Sequence, residues 1–209
     1  MIEHNLSNKN IFVTEEQCQS CSGCLMAYKV LVLGDYGTGK SSLFNQFLKV
    51  IPNAEKKPSI KLELIEFKRT LAGREITIQL YDIPGKELTS EHRSKHYKNA
   101  VGAFIIFDIC RPDSFRHAPF WIEELMNYNG YGKVPIILVG NKTDLRASSQ
   151  RTLNPIDAKE YVFRLNRSAT NDNIENHYYE ISSKSRKGLL AIVDKLVESI
   201  VKHQETLAS

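Results

Sequence analysis

Eight consecutive residues, Gly34-Asp35-Tyr36-Gly37-Thr38-Gly39-Lys40-Ser41, bring three glycines, an ammonium and a hydroxyl into one short stretch. Successive peptide N–H groups can converge on one point only where the backbone curls tightly. Gly34, Gly37 and Gly39 permit that curl without a Cβ clash. Converging N–H donors beside a fixed cation suit a phosphate, and the spacing meets the pattern G-x-x-x-x-G-K-[ST] at every fixed position. In such a loop Lys40 reaches the β- and γ-phosphates and the Ser41 hydroxyl takes one position on Mg²⁺. Asp35, Tyr36, Thr38 and Ser42 complete this group of nucleotide-binding candidates.

Two further sets could act on the same ligand. Asp82-Ile83-Pro84-Gly85 puts a carboxylate three residues before a glycine, so that Asp82 can hold a magnesium-bound water while the Gly85 N–H meets the γ-phosphate. Asn141-Lys142-Thr143-Asp144 is the stronger of the two. A carboxylate accepts two hydrogen bonds from guanine N1–H and N2–H₂, whereas adenine presents an acceptor and a differently placed amine. Asp144 therefore reads the base. Lys142 can lay its stem on the ring, and the Asn141 amide can tie this loop to the phosphate loop.

The elements around these residues are those the chemistry needs. Tyr28 to Leu33 is a short apolar run suited to a buried parallel strand, and after the loop Leu43, Phe44, Phe47 and Leu48 share one helical face. Between Lys49 and Lys61 the chain is polar and irregular, with Pro52 and Pro58 barring continuous helix. Leu62 to Leu71 and Glu75 to Tyr81 predict a hairpin that ends at Asp82. A helical pattern follows over Ser90 to Asn99, then a strand over 103–108. Asp113 or Ser114 caps a helix carrying Phe115, Trp121, Ile122, Leu125 and Met126, with Trp121 read as core. Val134 to Gly140 predicts the strand that feeds Asn141. Asn154-Pro155 opens a helix with Ala158, Tyr161, Val162 and Leu165 inward, and Asn166 to Asn176 reads as a mobile polar loop. A strand at 177–181 leads into Ser182-Ser183-Lys184, and Gly188 to Lys202 is an amphipathic helix. The alternation predicts an α/β fold, a three-layer sandwich of the P-loop NTPase type whose mostly parallel six-stranded sheet carries helices on both faces.

The 209 residues fit one domain with extensions, divided as a flexible 1–27, a nucleotide-binding 28–203 and a short tail 204–209. A net charge of +4, with Lys and Arg spread along the chain, argues against nucleic acid as the main partner. No run of eighteen apolar residues and no signal-like opening are present, so an intracellular, cytoplasmic protein is expected. Cys18, Cys21 and Cys24 repeat a two-residue spacing. They could be plain thiols, acceptors for reversible acylation that would give peripheral membrane contact, or zinc ligands, although a closed zinc site needs four ligands and only His4 is near.

With these residues placed, residues 28 to about 203 resemble a Ras-superfamily small GTPase of the Rab and Ras kind. The resemblance implies a monomeric switch that binds GTP and GDP with Mg²⁺, works in signalling or vesicle trafficking, and meets effectors, exchange factors and activating proteins through its switch regions. The family's NKxD loop is met by Asn141, Lys142 and Asp144. Its SAK-type loop is met by Ser182, Ser183 and Lys184, which implies that the Ser183 N–H contacts the guanine carbonyl. Ungapped spacing puts Ser59 at the switch threonine, where its hydroxyl would join Ser41 and Asp82 on Mg²⁺.

The chain also departs from the family. The switch sequence DTAGQE stands here as Asp82-Ile83-Pro84-Gly85-Lys86-Glu87, so Lys86 replaces the glutamine that orients attacking water and offers no acceptor to it. Pro84 stiffens the neighbouring backbone. Tyr36 occupies a position the family gives to a small residue, where a bulky side chain should obstruct an arginine finger. These changes predict impaired hydrolysis at a site whose catalytic candidates are Lys40, Gly85 and Lys86. Pro52 replaces an aromatic expected over the guanine edge. Lys202 to Ser209 contains no cysteine for prenylation and residue 2 is Ile2, so neither prenyl nor myristoyl attachment is expected.

Overall fold

The computed structural model describes residues 27–59, 62–71, 73–85, 89–169 and 174–208. Seven strands form one sheet in the order β2-β3-β4-β1-β5-β6-β7. They are β1 Ala27–Leu33, β2 Glu55–Lys57, β3 Glu63–Leu71, β4 Arg74–Asp82, β5 Ala100–Asp108, β6 Ile136–Asn141 and β7 His177–Glu180. The pairs β4-β1, β1-β5, β5-β6 and β6-β7 are parallel, while β2-β3 and β3-β4 are antiparallel. The helices are α1 Lys40–Val50, α2 Ser90–Ser94, α3 Pro112–Arg116, α4 Ala118–Tyr128, α5 Pro155–Ser168 and α6 Leu189–Ala208.

Side chains alternate across the sheet and divide the core in two. Val30, Val32, Phe104 and Ile106 pack with α1 and α6 on one face. Leu31, Leu33, Ile105 and Phe107 pack with α4 and α5 on the other. Strand order reverses at β1, which pairs with β4 on one side and β5 on the other. Ligands of open α/β sheets sit at such a switch point, beyond the carboxyl ends of the strands. The loops after β1, β4 and β6 all open there.

Four features differ from the sequence reading. The sheet has a seventh strand, β2, in the stretch read as irregular. Its three charged residues carry no apolar period, and it forms by pairing with β3, Lys56 opposite Ile65. The helix expected from Asp113 is two helices meeting at His117. Pro112 starts the first, and the Ser114 hydroxyl donates to the Arg111 carbonyl instead of capping. α2 ends at Ser94, short of the predicted Asn99. α5 continues through Asn166 to Ser168, past the predicted start of the polar loop; Asn166 Nδ2 donates to the Asn176 carbonyl (3.0 Å) and the Asn176 N–H donates back to Asn166 Oδ1 (2.9 Å), while residues 170–173 of that loop lie outside the described residues. The Asn154 cap and Pro155 start stand as read, with Asn154 Oδ1 accepting from the Ile156 N–H. α6 itself runs past Lys202 to Ala208, but its buried face ends at His203, and Leu207 is exposed. No helix among the described residues is long and apolar enough to cross a membrane.

Candidate nucleotide site

The phosphate loop leaves β1 with Gly34, Gly37 and Gly39 at φ of +135°, +75° and +94°, a region closed to most side chains. A Cβ on Gly34 would collide with the Ile106 carbonyl, and one on Gly39 with Asn141 Nδ2. Thr38 is fully buried and its hydroxyl donates to the Asp35 carbonyl (2.9 Å). Lys40, only 6% exposed, donates from Nζ to the same carbonyl (2.9 Å). Gly85 closes the opposite side, where a Cβ would stand 2.6 Å from Gly34 O and 3.0 Å from Tyr36 N. The Asp82–Gly85 segment thus borders the loop across a cleft of about 430 Å³, whose rim includes Tyr36, 65% exposed, and Pro84.

At the floor of this cleft Asp82 is buried, and its Oδ1 has no hydrogen-bond partner among the described residues. Burial raises the Asp82 pKa above the ordinary aspartate value, opposed by the nearby Ser41 hydroxyl and by the charge of Lys40. An orphaned carboxylate oxygen beside a hydroxyl is an all-oxygen donor set, and it fits a hard divalent cation such as Mg²⁺. Ser59 is exposed and does not line the cleft, whose wall on that side is Leu62 and Glu63. Lys86 and the cysteines at 18, 21 and 24 lie outside the described residues.

An adjoining cavity of about 480 Å³ shares Gly37, Gly39 and Ser42 with the first and is closed by Lys142, Asp144 and Ser183. Asn141, fully buried, holds the two together. Its Nδ2 donates to the Thr38 carbonyl (2.8 Å), and its Oδ1 accepts from the N–H groups of Lys142 (2.8 Å) and Ser183 (2.9 Å). Lys142 takes a left-handed conformation (φ +70°) and donates from Nζ to the Gly37 carbonyl and to Asp108 Oδ2, each at 2.7 Å. Asp144 accepts from the Ser182 hydroxyl at 2.6 Å and pairs with Lys184 at 2.9 Å. The Ser182 hydrogen bond, followed by Lys184, holds its pKa below the usual value. Asp144 is therefore ionised at neutral pH, with two oxygens that can only accept.

Several residues of the site escaped sequence reasoning. Asp108 ends β5 as Asp82 ends β4, and the same strand-end logic would have found it. Arg111 donates to Asp108 Oδ2 (3.2 Å) and to the Tyr36 carbonyl (2.9 Å), with no sequence signal to announce it. Trp121 is buried, as expected of a core residue, yet its Nε1 donates to Asp35 Oδ1 (2.8 Å). His117 meets the other Asp35 oxygen at 2.6 Å.

Fold and site together define an α/β phosphate-loop domain with an ionised carboxylate, Asp144, in the adjoining cavity. A sequence profile of the Ras family matches residues 29–202. Ras-related protein RABA4b of Arabidopsis thaliana is 34% identical over 157 residues, covering 72% of this chain and 69% of the relative. Ras-related protein Rab11B of Nicotiana tabacum is 32% identical over 164 residues (77% and 75%), and Ras-related protein Rab11E of Lotus japonicus is 31% identical over 158 (74% and 72%). The chain belongs to the Ras family of small GTPases.

Proposed function

We propose that this chain is a guanine-nucleotide switch that binds GTP and GDP with Mg²⁺ and hydrolyses GTP slowly. The observation that carries the reading is the Asn141 junction, which fixes the phosphate loop and the Asp144 loop as two ends of one cleft. The loop amides and Lys40 take the phosphates, with Lys40 exchanging the Asp35 carbonyl for phosphate oxygen. Asp144 accepts from the guanine edge, and the Ser183 N–H, which here donates to Asn141 Oδ1, would have to share or exchange that bond to meet the guanine carbonyl. Ser41 and Asp82 hold Mg²⁺, Asp82 through water, and Ser59 joins if its segment folds inward. When bound, the ion would offset charge on the β- and γ-phosphates.

Slow hydrolysis rests on three residues. Tyr36 projects into solvent at the phosphate rim, where it would obstruct an inserted arginine, a device worth on the order of 10³ to 10⁵ in rate. Pro84 stiffens the adjoining wall. Lys86 has only donors to offer a water nucleophile. Effectors, exchange factors and activating proteins would read the segments around Ser59 and Lys86, and the setting is intracellular signalling or vesicle trafficking. Acylation of Cys18, Cys21 and Cys24 would supply a peripheral membrane anchor.

Single-turnover GTP hydrolysis, together with the nucleotide retained on purification, tests this. Slow turnover supports the reading, and the rate of an ordinary relative would refute the impaired step. The same three residues favour a second reading, a GTP-locked module that presents a constant surface to an effector or scaffold. Retained GTP supports that reading and retained GDP supports the cycling switch. Lys86→Gln should raise the rate if the missing acceptor is the defect.

A further inference from the structure

Asp35 is gripped twice. Its carboxylate takes the Trp121 indole N–H on one oxygen (2.8 Å) and His117 Nδ1 on the other (2.6 Å), while its main-chain carbonyl accepts from Lys40 Nζ, the Thr38 hydroxyl and the Thr38 N–H. A carboxylate only accepts, so His117 Nδ1 carries the proton in this contact. The side chain of one phosphate-loop residue is therefore anchored to the α3-α4 junction, and the same residue's backbone orients the phosphate-binding lysine.

Trp121 has a second load. The Arg93 guanidinium of α2 lies over its ring, 4.9 Å from the centroid. Arg93 is 7% exposed and forks onto Glu124, with Nη2 at 3.1 Å from Oε1 and Nε at 3.3 Å from Oε2. The Tyr97 hydroxyl donates to the same carboxylate at 2.5 Å. Glu124 stands three residues after Trp121 on the same face of α4, so both side chains meet Arg93 at once. Burial makes each of these contacts costly to break singly, because the partner left behind is a desolvated charge.

Resting on the guanine-nucleotide reading above, we propose that Trp121 is a positioning residue that joins α2 to the phosphate loop, so that nucleotide affinity and the setting of α2 depend on each other. Neither Arg93 nor Glu124 lines the nucleotide cleft, yet both bear on Asp35 through the indole. By reciprocity, whatever factor a displacement of α2 applies to nucleotide affinity through Trp121, the nucleotide applies to the α2 equilibrium.

The test uses the full chain and the release of a fluorescent GDP analogue. Trp121→Phe keeps an aromatic face beneath Arg93 and removes the N–H. Arg93→Met combined with Glu124→Gln breaks the α2 contact by removing both charges of the pair together, while the Gln amide oxygen can still accept from the Tyr97 hydroxyl. Each is expected to speed release on the order of tenfold, within the usual range of coupling between sites. The combined variant should be no faster than the faster of the two, because both act through one contact. Unchanged release in either folded variant, or effects that multiply, would overturn the proposal, as a packing role alone predicts no change. If the α2 variant does not fold, the unmodified chain still decides: Trp121 is its single tryptophan, and its emission should change when unlabelled GDP is removed. Constant emission would overturn the proposal. A chain that binds no fluorescent GDP would instead remove the functional reading and this inference with it.

Discussion

The two halves of the cleft are built on opposite principles. In the base half the residues of the Asn141–Asp144 loop are held by the protein itself: Asn141 serves three main-chain groups, Ser182 and Lys184 hold Asp144, and Asp108 and the Gly37 carbonyl hold Lys142, while Gln46 Oε1 on the cavity wall is the exception, buried without a partner among the described residues. In the phosphate half polar groups are provisional or short of partners, with Asp82 Oδ1 buried and unpaired among the described residues and Lys40 resting on its own loop. A surface that selects a base must be rigid before the ligand arrives. A surface that grips charge can leave its groups under-satisfied, since phosphate and cation complete them.

The largest effect that would break this contrast lies in the base half. Asp144→Ala removes two charge-assisted hydrogen bonds to guanine, each about 1.5–3 kcal/mol, and should weaken GDP binding on the order of 10² to 10⁴, measured by titration calorimetry. Because Asp144 is held acidic, the affinity difference between wild type and Asp144→Ala should stay constant as pH falls toward the ordinary aspartate range and shrink only below it.

Next comes the metal corner. Asp82→Asn should lower Mg²⁺ affinity by about 10- to 100-fold, read from nucleotide release against magnesium concentration. The sign for stability follows from the raised Asp82 pKa. Without ligand, the folded protein holds this proton more tightly than the unfolded chain does, a contribution present at acid pH and lost as pH rises through the folded value. Metal-free Asp82→Asn should therefore gain in Tm over wild type as pH rises toward neutrality, and GDP with Mg²⁺ should cancel the gain. The smallest effect is at the rim. Tyr36→Gly opens the γ-phosphate side and should raise single-turnover hydrolysis by about tenfold or less, near 1.4 kcal/mol of barrier.

Sequence patterns revealed most where function demands contiguity. The phosphate loop and Asn141–Asp144 are short runs whose residue types have one good physical use together, and their neighbours alternate as buried strands must. The Asp35 anchor was hidden because its partners stand 82 and 86 residues away, in a helical stretch where a buried tryptophan reads as packing. β2 was hidden for another reason: pairing with β3 creates it, not its own Glu55-Lys56-Lys57 composition. The same holds between Asn166 and Asn176, polar residues that look solvent-bound in sequence and instead bond to each other across ten positions.

That short, fully charged β2 carries a consequence for how the molecule meets others. An outermost strand with open main-chain groups invites another chain to extend the sheet, and three residues bearing Glu55, Lys56 and Lys57 give such an intruder little length and an unfavourable surface. Sheet extension at β2 itself is therefore disfavoured, whereas β3 beyond Glu66 has no strand on that side among the described residues.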